Sequence, residues 1–309
     1  MIMMIVGFGY LMTFMKNYGL GAVGFCLLVS AIGLQWGLFI EAFFYQMVNH
    51  TWGPVAINTY AILAVTSNIA APLISLGGII GKVTPLQLLI MVLLEFTAHS
   101  FNYNVLMNGI LKVMDIGGTY SDHMFGCYFG LAVSYIIGAP AIEPAGGDTP
   151  DIFSLIGTAF LWIYWPSFVS GYSEVNSIQQ QHALVNTIFA LCASTTMAFW
   201  GSSYFNTSGS GKFRPVDIQN ATLAGGVAIG AVASLQMNPG GCIFIGMICG
   251  VLSTFGYSRI QPYILAKYGL HDTCGINNLH GMPSIFGAFV SMILAARTTA
   301  GQDVYSAGS

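Results

Sequence analysis

Charge is what this sequence has least of. Only 6% of its 309 residues are charged, where soluble domains carry roughly 25%. Eight Lys plus Arg and eleven Asp plus Glu cannot clothe a water-soluble surface for a chain that is 55% hydrophobic. Lipid must therefore be the solvent for most of the outside. Basic clusters are absent too, which removes nucleic acid as a partner. Cysteine is sparse: Cys26, Cys127, Cys192, Cys242, Cys249 and Cys274 lie within or at the ends of apolar runs, with no C-x-x-C spacing. They read as small core residues, not as disulfides or zinc ligands. A nucleophile triad, a phosphate-binding loop and a metal motif are also missing, so neither bond-making chemistry nor a cofactor is expected.

What is present is apolar sequence in long pieces. Stretches fit to span a bilayer fall near residues 1–16, 20–48, 55–80, 85–108, 119–140, 151–171, 180–205, 217–237, 239–258 and 275–297. The first lacks the basic leader and small-residue cleavage site of a signal peptide, so it counts as a span. The spacing predicts an all-α polytopic membrane protein of about ten transmembrane helices, one domain over 1–309. Its parts are a first five-helix repeat (1–140), a connecting loop (141–150), a second repeat (151–297) and a tail (298–309). Loops after odd spans hold Lys16, Lys82, Lys212, Arg214, Arg259 and Lys267, against Lys112 and Arg297 on the other face. That bias puts the odd loops in the cytoplasm. The sequon Asn49-His50-Thr51 then lies outside, where Asn49 could carry a glycan, whereas the sequons at Asn206 and Asn220 fall on or near the cytoplasmic side.

Two histidines follow the same signature 157 residues apart, Asp115-x-x-Gly118-x-x-x-x-His123 and Asp272-x-x-Gly275-x-x-x-x-His280. Titratable groups inside a membrane are costly and mark a pathway or site by default. The signatures open the fifth and tenth spans, and five is odd, so the halves enter from opposite faces as inverted repeats around a central pore. Eight residues of helix carry each histidine about 12 Å inward, to similar depth from either side. Imidazole titrates near neutrality and can donate and accept at once. Such a pair suits a small neutral molecule that exchanges a proton, such as ammonia, whose protonated form is costly to desolvate.

The stretches DIGGTYSDHMFGCYFGLAV, LIGTAFLWIYWPSF, DIQNATLAGGVAIG and HDTCGINNLHGMP closely resemble the Rh glycoprotein branch of the ammonium transporter (Amt/Mep/Rh) family, in order, from residue 1 to about 297. The resemblance is to the ammonia-transporting members more than to the blood-group antigens, which lack the histidine pair. It implies that His123 and His280 are the twin pore histidines and that Phe168 is one of two phenylalanines closing the outer entrance. It also implies that Asp115 is the acidic residue at the outer start of span five, Asp272 being its inverted counterpart, and that the protein is a homotrimer conducting through each subunit. Carbon dioxide is a second gas proposed for the family, and methylammonium a usable probe. Two departures stand out. Ser67 occupies the position of the other gate phenylalanine, and Asp122 stands beside His123 where an apolar residue is usual. The chain also starts where the second helix of full-length Rh proteins normally begins and stops before their last long helix.

Each residue has a plainer reading. Asp115 and Asp272 can be helix N-caps, which is the primary role given to them, with electrostatics secondary. Phe168 would be ordinary packing without the resemblance. Glu95 and His99, one turn apart, can be a buried ion pair, an alternative proton site or a polar patch. Gly225, Gly226 and Gly230 permit close helix contact, and His50, His182 and His271 sit near span ends. Rival functions are a haem-binding membrane protein, a metal transporter lacking the usual carboxylate or thiolate cluster, and a non-conducting structural protein of the same fold. The reading that accounts for most residues is transport of ammonium as ammonia, without a cofactor, by an integral protein expected in the plasma membrane.

Overall fold

The computed structural model describes residues 3–15, 17–140, 146–206 and 212–298. Lys16, residues 141–145 of the connecting loop and the tail from 299 onward lie outside the described residues. Among the described residues helix follows helix in ten segments: α1 (Met3–Phe14), α2 (Gly19–Asn49), α3 (Thr59–Ile79), α4 (Pro85–Phe101 with Asn102–Leu111), α5 (Thr119–Met124 with Phe125–Ile137), α6 (Asp148–Ser170), α7 (Ile178–Phe205), α8 (Pro215–Ala221 with Ala224–Ile229), α9 (Pro239–Tyr268) and α10 (Asn277–Gly281 with Met282–Thr298). Six of them, α2, α3, α6, α7, α9 and α10, are long and apolar enough to cross a membrane. The four other expected spans are helical but shorter or interrupted.

Helix starts follow from local chemistry. Thr84-Pro-Leu-Gln87 forms a capping box ahead of α4, with Pro85 in the first turn, where its missing N–H costs nothing. Asn58, Ser177 and Asn238 cap α3, α7 and α9 through side-chain oxygens. Interruptions have causes as well. Thr66 and Ser67 donate back to the carbonyls of Ile62 and Leu63, a pattern that bends helices, and α3 breaks its regular winding at Ile69. In α8, Asn220 and Thr222 turn back on Val216 and Ile218 in the same way, and the helix breaks after Ala221. The helix resumes at Ala224 and the predicted 217–237 span ends early, at Ile229. Span nine instead overruns its predicted end at 258: α9 reaches Tyr268. Arg259 and Lys267, expected in a loop, are thus on helix.

The chain forms two compact units. The first holds residues 1–113, 121–161 and 260–277, the second 114–120, 162–259 and 278–309. In the first, α3 and α5 cross so closely that a Cβ on Gly126 would lie 2.5 Å from the Ala71 carbonyl oxygen. In the second, α7 and α9 meet likewise, a Cβ on Gly250 falling 2.5 Å from Ser194 O. Gly226 lies against the Trp165 indole and Gly230 against Thr119, so these glycines do allow close approach.

Candidate functional site

The two signatures fold alike. Asp115 accepts from Thr119 N (2.7 Å) on one carboxylate oxygen and Tyr120 N (2.8 Å) on the other. Asp272 accepts from Ile276 N (2.8 Å) and Asn277 N (2.9 Å), again the fourth and fifth residues on. Both aspartates are thus caps on orphan helix-start amides. The glycine three residues after each has positive φ, 67° at Gly118 and 75° at Gly275. That left-handed step costs an ordinary L-residue about 1–2 kcal/mol. Even the residue just before each of these glycines has matching work. In one unit Gly117 N donates to Gly230 O at the end of α8 (3.0 Å), and in the other Cys274 N donates to Gly77 O near the end of α3 (2.9 Å). The chain then enters a π-helical turn, Thr119–Met124 or Asn277–Gly281, that carries the histidine. π-turns recur at functional sites. His123 and His280 are both buried, at 1% and 3% exposure, and the His280 carbonyl accepts from Ser284 Oγ.

The Asp272 cap is further stapled within the first unit. Lys82 Nζ, just past α3, donates to Ser134 Oγ and His271 O, both at 2.5 Å, and Gln261 Nε2 donates to Asp272 O (2.7 Å). Burial pushes the Asp272 carboxyl up to about 6, against the three backbone amides and Lys82 that favour its anion. Burial also brings the Lys82 ammonium down to about 8, opposed by Asp272 and Cys274. His271, expected only near a span end, is therefore part of this staple through its carbonyl.

The other predicted residues are placed as follows. Ser67 is buried on α3 with its hydroxyl spent on its own helix. Phe168 is half-buried on α6, edge-on to Trp165 at 6.3 Å. Asn49 is exposed at the C-terminal end of α2, its amide donating to Tyr45 O (2.8 Å). Glu95 and His99 are not each other's partners. His99 Nε2 lies 2.9 Å from Asp122 Oδ1, so Asp122 is turned to α4. Ser75 Oγ lies 2.5 Å from Glu95 Oε1 and 2.7 Å from Gly126 O. The Ser75 hydroxyl thus ties Glu95 on α4 to the Gly126 carbonyl on α5. Glu41 was not predicted at all. It accepts from Asn68, Ser100 and Asn104, and its signal in the sequence is that it alone is charged in α2.

Among the described residues, ten helical segments, six of them long and apolar enough to cross a membrane, and a doubled cap–glycine–histidine start define a polytopic, all-helical integral membrane protein. Comparison with known proteins narrows the class. The Ammonium Transporter Family profile matches residues 1–308, and the chain belongs to that family. It is 42% identical over 313 residues to Ammonium transporter Rh type C of Xenopus laevis, which aligns 99% of this chain with 64% of that protein. Identity to Ammonium transporter Rh type B of Danio rerio is 40%, over 99% and 65% of the two chains. The chain thus spans just under two thirds of the length of these relatives. A solved structure described as "Nitrosomonas europaea Rh50 and mechanism of conduction by Rhesus protein family of channels" superposes with a TM-score of 0.84 at 33% identity, covering 94% of this chain and 76% of that one. Candida albicans Mep2, at 16% identity and a TM-score of 0.78 over 98% and 72% of the chains, shares the fold.

Proposed function

We propose that this protein transports ammonium by conducting ammonia. Ammonium gathers at the outer end, leaves its proton with water on entering apolar surroundings, passes His123 and His280 as ammonia, and takes up a proton on the far side. The desolvation cost of the cation supports crossing in the neutral form, and imidazoles supply a donor and an acceptor to a molecule that needs both. The observation that carries this reading is the cap, positive-φ glycine and π-turn built twice, each time ahead of a buried histidine. A fold with one such histidine could be packing a polar residue by accident; two by the same construction argue for shared use.

The finer parts of the proposal rest on the sequence and its family resemblance. Residues 1–140 and 151–297 act as inverted repeats, which the matched bonds to Gly230 and Gly77 support. Asp115 and Asp272 hold the helix starts and draw cations secondarily. Phe168 and Ser67 are the gate positions that the family resemblance implies, Ser67 standing where a phenylalanine is usual. Asn49 is a glycan acceptor, three subunits associate, and the host is the plasma membrane. The test is reconstitution of the full chain into liposomes holding a pH dye, followed by an ammonium gradient or methylammonium uptake. Internal alkalinisation faster than in protein-free liposomes supports transport. Rates equal to protein-free liposomes overturn it and favour a structural protein.

A further inference from the structure

The first unit holds a second set of ionisable groups, His99 and Asp122 buried and Glu41 half-buried, that the conduction steps do not use. Glu41 of α2 receives Asn68 Nδ2 (2.9 Å) from α3 and Ser100 Oγ (2.9 Å) and Asn104 Nδ2 (2.5 Å) from α4. Three donors from two helices thus converge on one carboxyl group. His99 of α4, fully buried, has Nδ1 3.9 Å from Glu41 Oε1 and Nε2 2.9 Å from Asp122 Oδ1 on α5. Tyr103 stacks on the imidazole, while Phe96 and Phe125 meet it edge-on. The chain Glu41–His99–Asp122 therefore links α2, α4 and α5 inside apolar walls. Desolvated charges so arranged are poor sources of net stability, and their better-attested use is to fix register.

Register matters here because of what comes next in the chain. Asp122 immediately precedes His123, and both lie in the π-turn Thr119–Met124. Successive helical residues point about 100° apart in an α-helix, so fixing the direction of one side chain fixes the direction of the next. Winding with an extra residue per turn is rare and needs a cause. Asp122 is the sole acidic or basic residue in α5 besides His123 itself, and His99 is where it is held. We propose that Asp122 and His99, backed by Glu41, are positioning residues for His123: their hydrogen bond sets the rotation of the π-turn and hence the aim of the imidazole. This rests on the reading of His123 as a conducting residue. Asp115 sets where α5 begins; the buried pair sets how it is turned. Of the titratable groups, Glu41 from α2 and Tyr103 from α4 meet the His99 imidazole, while α3 contributes the neutral Asn68 through Glu41.

The test uses the full chain in lipid with isotope-labelled histidine, the His123 ring resonances being assigned by their loss in His123→Ala. His99→Phe removes the donor, and Asp122→Ala removes the acceptor from the other side. His99→Gln keeps an N–H that reaches Asp122 without an imidazole. Positioning requires that His99→Phe and Asp122→Ala displace the His123 resonances and slow ammonia flux several-fold, and that His99→Gln restores both toward wild type. His123 resonances that stay in place in all three variants overturn the inference, as does an equal displacement by His99→Gln and His99→Phe. Should the wild-type chain show no flux, the transport reading falls while the resonances still decide whether the pair positions His123.

Discussion

Replacing Asp115 by alanine removes both acceptors at the start of α5. Thr119 N, which is buried, and Tyr120 N, which is half-buried, lose bonds of 2.7 and 2.8 Å. A buried donor left unmade costs about 1–3 kcal/mol, and loss of an N-cap side chain typically about 1 kcal/mol. One fully and one partly buried amide together give a loss of about 2–4 kcal/mol. Asparagine has one carbonyl oxygen in place of two carboxylate oxygens, so Asp115→Asn should keep one bond and lose about half as much. Thermal unfolding of the purified full chain in detergent, followed by circular dichroism, should rank the midpoints wild type above Asp115→Asn above Asp115→Ala. An alanine variant melting with wild type would refute the cap as the organising contact of this signature. So would an asparagine variant as damaged as alanine, because it would place the loss in charge and not in the count of acceptors.

Two further outcomes follow from burial. The Asp272 carboxyl is raised from 3.8 to about 6, so between these values the folded chain holds a proton that the unfolded chain has released. Its contribution to stability is complete below the lower value and is lost as pH rises through 6, by on the order of 3 kcal/mol. Unfolding midpoints of wild type should therefore fall relative to Asp272→Asn from about pH 4 to pH 6, and equal slopes would contradict the shift. Glu41→Ala leaves three donors and the neighbouring His99 without their acceptor, at a cost of about 1–3 kcal/mol for a buried donor left unmade. Glu41→Gln, which keeps an acceptor, should be milder, as read from the same unfolding midpoints.

The signatures could be read in advance because their chemistry is local. A cap reaching the fourth and fifth amides and a glycine three residues on are set within eight residues of chain, and Asp115 and Asp272 perform as caps in nearly the same geometry. Helix ends were less readable where competing polar groups decide them, as in α8, where Asn220 and Thr222 bond backward. The π-turns leave no trace in hydrophobic period. Partners distant in sequence were out of reach: Asp122 finds His99 across 23 residues and Lys82 finds His271 O across 189. Glu95 and His99, natural partners by helical spacing, were separated by Ser75 and Asp122, which approach from other helices. Glu41 could have been singled out as a lone charge in an apolar helix, but which amides and hydroxyls surround it depends on packing.

Ammonia flux through liposomes carrying wild type, His123→Ala and His280→Ala, at matched protein content and with unfolding midpoints checked in parallel, tests the central claim most directly. Conduction by way of the two histidines requires rapid alkalinisation with wild type and a substantially slower rate with either alanine variant. Wild-type rates in both variants would contradict it.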